Sequence, residues 1–181
     1  MGLLIDPFVS FDTIGRDEMN DCLVAWGHQM GPIERPEYRR PVDFVLRENG
    51  EPVAVMAADP LIRPTCGFTR ADAFELSRLC AARHGLCSMA MKLWRTFAYP
   101  AIVRAWGAPW VVSYQDAARH TGTLYRFDHW LIVGYSTSGS DPRALPGTAS
   151  VRRKKIWGWN ADAAAMRERR QNPPEEPRWA A

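Results

Sequence analysis

The fold is decided by five consecutive segments in which strand and helix patterns alternate: AFELSRLCA (Ala73–Ala81), the run Cys87–Trp106, WVVSYQD (Trp110–Asp116), AARHTGTLYRF (Ala117–Phe127) and HWLIVGYS (His129–Ser136). The first segment alternates apolar and polar residues, which predicts a strand. The second places apolar residues at helical spacing, and we expect Pro100 to kink or split this helix. The remaining three predict a strand, a turn with a short helix, and a closing strand.

The segments that precede this stretch predict one more helix and three more strands. Phe8–Gly15 alternates like a strand, and Asp17 offers an N-cap for a helix that ends near Gly27. His28–Pro41 holds three prolines and five charged residues without periodicity, so it is predicted to be an exposed loop. Val42–Ile62 contains two strand-like runs around an Asn-Gly pair, a strong hairpin signal. The predicted class is α/β (α+β), with a mixed central sheet flanked by helices.

Length and composition limit the classes of protein. The chain has 181 residues, of which 46% are hydrophobic and 24% charged, and this is typical of a globular domain with or without a tail. No apolar run approaches the ~20 residues that a membrane span needs, and the N-terminus has no basic region followed by an apolar one. The four cysteines form no C-x-x-C pair. We therefore expect a soluble, cytoplasmic protein with no membrane partner.

Positive charge is concentrated at the C-terminus. Residues 151–181 hold eight Lys or Arg against four Asp or Glu, a net +4 in a chain whose total is +3, so residues 1–150 carry −1. The candidate nucleic-acid-binding residues in this part are Arg152, Arg153, Lys154, Lys155, Trp157 and Trp159. Basic side chains neutralise phosphates and aromatic rings stack on bases. The alternative is a solvated basic arm whose two tryptophans pack on the body.

Several short patterns resemble one acyltransferase superfamily. They are His28 after the first helix, the L-x-R-L strand (Leu76, Arg78, Leu79), Ser88 at the opening of the next helix, the S-Y-x-D strand end (Ser113, Tyr114, Asp116) and H-x-G-x-x-Y (His120, Gly122, Tyr125). With the predicted element order, they resemble the GNAT superfamily and, within it, the phage Mom-type DNA-modification proteins. The resemblance covers roughly residues 8–136 and implies a GNAT-like catalytic domain (1–138). Charge and composition predict a basic Trp-containing extension (139–171) and a disordered tail (172–181) after it.

The resemblance implies acetyl-CoA as a cofactor. By resemblance, Arg78 and Leu79 on the strand and Gly85 and Ser88 at the opening of the helix lie on the acyl-CoA side. The exposed N–H groups and the positive dipole end of that helix suit a pyrophosphate. The superfamily's usual Q/R-x-x-G-x-G/A loop is absent. As alternatives, Ser88 is a plain N-cap and Arg78 a surface or ion-paired residue.

The resemblance also implies a catalytic set of Asp116, Tyr125, His28 and Tyr114. A carboxylate beside a phenol can act as general base and acid in transfer to an exocyclic amine. Together His28, Asp116 and Tyr125 would also make an N/O ligand set suited to iron. At the next position Gln29 replaces the Tyr of the Mom pattern. As alternatives, Asp116 caps the following helix, Tyr125 is a core residue, and His28 is solvated.

Three functions follow as expectations. The first is a Mom-like enzyme that transfers an acetyl-CoA-derived group to the exocyclic amine of adenine in double-stranded DNA and so protects that DNA from restriction. The second is an ordinary GNAT N-acetyltransferase for a small amine or peptide. The third is a non-catalytic nucleic-acid-binding protein. A homodimer is left open.

Overall fold

A computed structural model describes residues 8–34, 42–136 and 154–177. They form β1 (Val9–Thr13), α1 (Arg16–Ala25), β2 (Asp43–Glu48), β3 (Glu51–Pro60), β4 (Ala73–Ala81), α2 (Leu86–Leu93), a π-helical segment (Trp94–Ala98), α3 (Tyr99–Trp106), β5 (Trp110–Asp116), α4 (Thr123–Phe127), β6 (Leu131–Ser136), β7 (Lys154–Trp159) and α5 (Ala163–Gln171). The strands form a mixed seven-stranded sheet in the order β1-β2-β3-β4-β5-β7-β6. The predicted fold class and element order are confirmed.

The chain forms two compact units. Unit 1 comprises Met1–Asp59 and Leu76–Gly107, and unit 2 comprises Pro60–Glu75 and Ala108–Ala181. Strand β4 therefore contributes its first three residues to unit 2 and the rest to unit 1. No helix among the residues that the structure describes is long and apolar enough to cross a membrane.

Unit 1 contains the predicted hairpin. Strands β2 and β3 pair antiparallel around Asn49 and Gly50, both of which have positive φ as such a turn requires. Helix α1 buries Met19 and Leu23 in a core shared with Val45 and Val55. The N-cap prediction is wrong, because Gly15 is the N-cap and Asp17 lies in the first turn. There the Asp17 carboxylate still faces the positive end of the helix dipole.

The second long helical run is split where Pro100 predicts. Helix α2 passes into the π-helical segment, and α3 follows with Pro100 in its first turn. Proline has no N–H to donate and its ring collides with the preceding turn of an α-helix. A widened π turn just before Pro100 relieves both problems while the helical run continues to Trp106.

Unit 2 contains the strands that carry the predicted site. The start of β4 pairs parallel with β5 over three residue pairs, from Ala73–Trp110 to Glu75–Val112. Strand β7 pairs antiparallel with both β5 and β6. Residues from the extension predicted at 139–171 thus form an interior strand of the sheet. This segment lies within the sheet although it begins with two lysines. Its Ile156 and Trp157 are buried, and the sheet pairs its backbone N–H and C=O groups.

Parts of the C-terminal predictions fall outside the described residues. These are Arg152, Arg153 and the segments 137–153 and 178–181. After β7, the extension continues as the helix α5, with Asp162 as its N-cap. Of the tail predicted as disordered, residues 172–177 are described, and Glu176 forms a 2.9 Å ion pair with Lys155.

Candidate active site

The candidate cofactor site of unit 1 lies at the N-terminus of helix α2. Its N-cap is Gly85, held in the left-handed region at φ 89°, and its first turn has no acidic residue. Ser88 is exposed and lies inside the helix, where its backbone N–H donates to the Gly85 carbonyl at 3.2 Å. The alternative of Ser88 as a plain N-cap is therefore wrong. The Ser88 hydroxyl and the N–H groups of this turn can together approach an anion.

Cys87 lies in the same turn, in surroundings that favour its neutral thiol. Burial is the main cause that raises the pKa of its thiol to about 11, with a smaller contribution from Cys80. A helix N-terminus lowers the pKa of a thiol, so the burial outweighs the helix dipole here. The thiol keeps its proton at neutral pH, and transfer through a Cys87 acyl-enzyme has no support.

Arg78 is an internal anchor of unit 1. Its side chain is buried, and it donates from Nη1 to the Ser77 carbonyl at 2.9 Å and from Nε to the Gly31 carbonyl at 3.4 Å. Neighbouring Ser77 donates to the buried Asp59 carboxylate and to the Ala57 carbonyl. The guanidinium thus ties β4 to the loop after α1. Leu79, on the other face of β4, is half-buried.

His28 lies in that loop. The chain leaves α1 through Gly27 at φ 63°, and the His28 N–H donates to the Leu23 carbonyl at 2.8 Å. The His28 carbonyl then accepts from Gly31, whose carbonyl binds Arg78. The His28 side chain is half-buried. Gly31 thus joins two of the predicted site residues, because its N–H binds the His28 carbonyl and its own carbonyl binds Arg78.

Tyr125 lies on α4 and is held against the middle of β5 in unit 2. Its hydroxyl shares a 2.9 Å hydrogen bond with Ser113 Oγ. Its ring stacks on Trp157, with centroids 5.2 Å apart and planes at 11°, and meets the edge of Trp130 at 5.5 Å. The side chain is half-buried. The alternative of Tyr125 as a packed residue is thus correct for its ring, while its hydroxyl has a defined position.

Asp116 and Tyr114 lie on the other face of β5. Strand alternation places Tyr114 and Asp116 on one face and Ser113 on the opposite one. Asp116 Oδ1 accepts the Ala118 N–H at 3.0 Å, and Oδ2 lies 3.7 Å from Arg119 Nε. The carboxylate thus closes the turn after β5, and the alternative of Asp116 as the cap of the following helix is wrong, because Gly122 is the N-cap of α4. Tyr125 lies on α4, and its hydroxyl bonds Ser113 on the face of β5 opposite to Asp116. The two residues of the predicted catalytic set are therefore not neighbours along one face of this strand.

Tyr114 has partners of its own. Its hydroxyl shares a 2.9 Å hydrogen bond with Thr65 Oγ1, and Lys154 Nζ lies 5.6 Å from its ring centroid. Burial, followed by nearby Glu75, raises the pKa of Tyr114, although the Thr65 hydroxyl opposes this shift. Tyr114 therefore stays protonated at neutral pH and is not a general base there.

The predicted DNA-binding residues have different environments. Trp157 is 3% exposed, and its indole N–H donates to Gln115 Oε1 at 2.7 Å. Its buried ring is not available to stack on a base, which corrects that prediction. Trp159 and both lysines are half-buried. Lys155 pairs with Glu176, as described above, while Lys154 lies over Tyr114.

The metal set has no support from clustered ligands. Within residues 8–34, 42–136 and 154–177, no three His, Cys, Asp or Glu side chains form a group that could hold a metal ion. His28 belongs to unit 1, whereas Asp116 and Tyr125 belong to unit 2. The iron set stays a prediction from the resemblance.

Sequence reasoning assigned no role to Ser113 and overlooked two other side chains of unit 2, Gln115 and Thr65. Ser113 and Gln115 are two polar residues on one face of an apolar strand, and this pattern could have indicated a buried polar network. Thr65 gave no signal, because it lies 49 residues from Tyr114 and only the fold joins them.

Comparisons with known proteins show the fold. No protein-family model and no curated protein matches the chain. A solved putative phosphinothricin N-acetyltransferase is similar with a TM-score of 0.59 at 12% identity, over 86% of this chain and 99% of that one. The aminoglycoside 6'-N-acetyltransferase of Enterococcus faecium gives 0.55 at 13% identity, over 83% and 96%. Arabidopsis thaliana Naa50, in complex with a CoA-Ac-MVNAL bisubstrate analogue, gives 0.53 at 10% identity, over 84% and 98%. The chain has the GNAT N-acetyltransferase fold.

Proposed function

We propose that this protein is an acyltransferase that uses acetyl-CoA to acylate an amine. The observation that carries the proposal is the Tyr125 hydroxyl, which Ser113 Oγ holds at 2.9 Å against the middle of β5 in a GNAT fold. One similar structure contains a CoA-derived bisubstrate analogue, which supports the same class of cofactor. When bound, acetyl-CoA supplies the activated acyl group as a thioester.

The described residues fit such a cofactor at helix α2. Gly85 opens the helix without a side chain in the way, and Ser88 offers an exposed hydroxyl in a turn that has no acidic residue. A pyrophosphate is bound well by such an N-terminus. Arg78 already donates to two carbonyls, so its role in the proposal is to hold the backbone rather than to bind phosphate. Leu79, which follows Arg78 in β4, is apolar and half-buried.

Two proton transfers are assigned to unit 2. Tyr125 Oη holds the proton that a leaving group needs, and its Ser113 partner can stabilise the phenolate that remains. The proton of the attacking amine passes to Asp116 or to water. Arg119 is 60% exposed, so its pairing with Asp116 is weak and leaves the carboxylate able to exchange partners.

The test measures CoA release with a panel of small amines and peptides. We expect turnover for at least one class of amine, and Asp116→Asn separates the two routes for the proton. A loss of about 100-fold or more would make Asp116 the base, whereas unchanged turnover would assign that role to water. Asp12→Asn, at an exposed position of β1, is the matched control. If no amine stimulated CoA release, the proposal would be wrong.

A second candidate substrate is adenine in DNA, as the Mom resemblance implies. The observation that favours it is Phe127, which is 80% exposed at the end of α4 beside the exposed Arg126. Arg119 adds a further basic side chain to this segment. An aromatic ring that can stack on an unpaired base, next to groups that bind phosphates, suits an enzyme that acts on an extruded base. Modified adenine would give the anti-restriction role.

Mass spectrometry of nucleosides decides between the two substrates. DNA from cells that express the wild-type protein would carry an adenine adduct, and DNA from cells with Asp116→Ala would not. Identical nucleosides in both samples would remove the DNA candidate and leave the amine acyltransferase.

The iron ion belongs only to the DNA candidate. It would require His28, Asp116 and Tyr125 as ligands. Iron that co-purifies with the wild-type protein and is lost in His28→Ala would support this set. Equal iron contents in the two proteins would remove His28 from it.

A further inference from the structure

Gln115 joins two segments of unit 2 through both ends of its amide. Its Oε1 accepts the Trp157 indole N–H at 2.7 Å, and its Nε2 donates to the carbonyl of His120 in the turn before α4. The side chain is 4% exposed. A flipped amide would place oxygen against the carbonyl and N–H against N–H, so the two bonds fix its orientation. Gln115 therefore ties β7 to that turn.

The same indole determines where Tyr125 lies. The Tyr125 ring is stacked on Trp157 on one side and packed against the Trp130 edge, while Ser113 holds the hydroxyl. Trp157 is in turn fixed by its burial and by the bond to Gln115. The position of the phenol thus depends on a side chain from β7, which lies 32 residues further along the chain.

Gly122 shows how closely this arrangement is packed. A Cβ at Gly122 would lie 2.6 Å from Gln115 Oε1 and 2.8 Å from a ring carbon of Trp157. Its φ of +74° also favours glycine. Any side chain here would displace the Gln115–Trp157 pair. The glycine is therefore required for packing as well as for the turn.

We propose that Trp157 and Gln115 are a positioning pair that sets the Tyr125 hydroxyl for proton donation. This inference rests on the proposed acyltransferase function. It assigns a role in the reaction to the C-terminal strand β7, whose tryptophan the sequence had suggested as a DNA contact. Neither residue of the pair needs to touch substrate.

Trp157→Phe tests the pair in the full-length protein. Phenylalanine keeps a ring for stacking but removes the N–H donor and leaves Gln115 Oε1 without it. We expect kcat to fall about tenfold while KM for acetyl-CoA stays within about twofold, because a misplaced catalytic group slows the chemical step. Trp110→Phe, which changes a half-buried tryptophan on the other face of β5, is the matched control. An unchanged kcat in Trp157→Phe would overturn the proposal.

A double variant separates positioning from general damage. If Trp157 acts through Tyr125, adding Trp157→Phe to Tyr125→Phe costs no further kcat. Multiplicative losses would overturn the proposal, since the two residues would then act independently.

A third measurement does not depend on activity. The five tyrosines can be replaced by 3-fluorotyrosine, and the Tyr125 signal in the ¹⁹F spectrum is assigned by its loss in Tyr125→Phe. We expect this signal to shift or broaden in Trp157→Phe and to stay unchanged in Trp110→Phe. An unchanged signal in Trp157→Phe would overturn the positioning role, whereas a wild-type protein without turnover would instead overturn the proposed function.

Discussion

The two faces of β5 differ in how their polar residues are held. On one face, Ser113 and Gln115 are buried and bonded to aromatic partners from α4 and β7. On the other, Tyr114 and Asp116 are half-buried, with Thr65 and a turn N–H as their partners. The first face fixes a phenol through several contacts, and the second closes loops. Residue type alone therefore does not distinguish Tyr125, the proton donor that we propose, from Tyr114.

The two tyrosines give the largest expected contrast. Tyr125→Phe is expected to lower kcat by about 100-fold, because the variant loses the proton donor and keeps the ring. Tyr114→Phe is expected to change kcat by less than about threefold, since its hydroxyl serves Thr65. Steady-state kinetics with a good amine substrate measures both. Equal losses would mean that the two faces do not differ in function.

Gly122→Ala tests the packing of the first face. The added methyl group collides with Gln115 and Trp157 and sits at an unfavourable φ, so we expect a loss of about 2–3 kcal/mol in the free energy of unfolding. Denaturant titration measures it. Gly50→Ala is a control with positive φ but no atoms within 4 Å, and it should cost only about 1 kcal/mol. Similar losses in both variants would show that φ alone matters.

Thr65→Val tests the second face. The substitution keeps the shape and removes the hydroxyl that bonds Tyr114, with an expected cost of about 1 kcal/mol in stability. Thr121→Val, which removes an exposed hydroxyl, is the control. A loss of activity larger than the loss of stability would give the Thr65–Tyr114 pair a role in the reaction that we do not assign to it.

Alkaline pH should produce the smallest effect. The pKa of Tyr114 is raised above its ordinary value of 10.0, chiefly by burial, so the folded state holds this proton more tightly than the unfolded state. Its contribution to stability is therefore complete below the unfolded pKa and is lost as pH rises through the folded one. Stability should fall less in Tyr114→Phe than in the wild type from about pH 9 to about pH 11. Parallel curves would contradict the shift.

Local signals in the sequence are enough for most of the fold. The Asn-Gly pair determines the hairpin because both residues tolerate positive φ, and Pro100 determines the split of the second helix because it lacks an N–H. The alternation over Trp110–Asp116 predicts the strand and also places Asp116 on the face opposite to Ser113, the partner of Tyr125. The prediction of Asp17 as the N-cap of α1 is wrong because Gly15 and Asp17 both precede the first apolar residue of the helix, and local preference does not choose between them.

By itself, the sequence determined the order of elements, because periodicity and turn residues act over a few positions, while the GNAT-like class was implied by the resemblance of its short motifs. Only the tertiary structure decided that Trp157 lies inside beside Tyr125, that Arg78 anchors the His28 loop, and that Thr65 bonds Tyr114. Those contacts join residues 32, 47 and 49 positions apart. Strand order and burial select such partners, and neither is a local property of the chain.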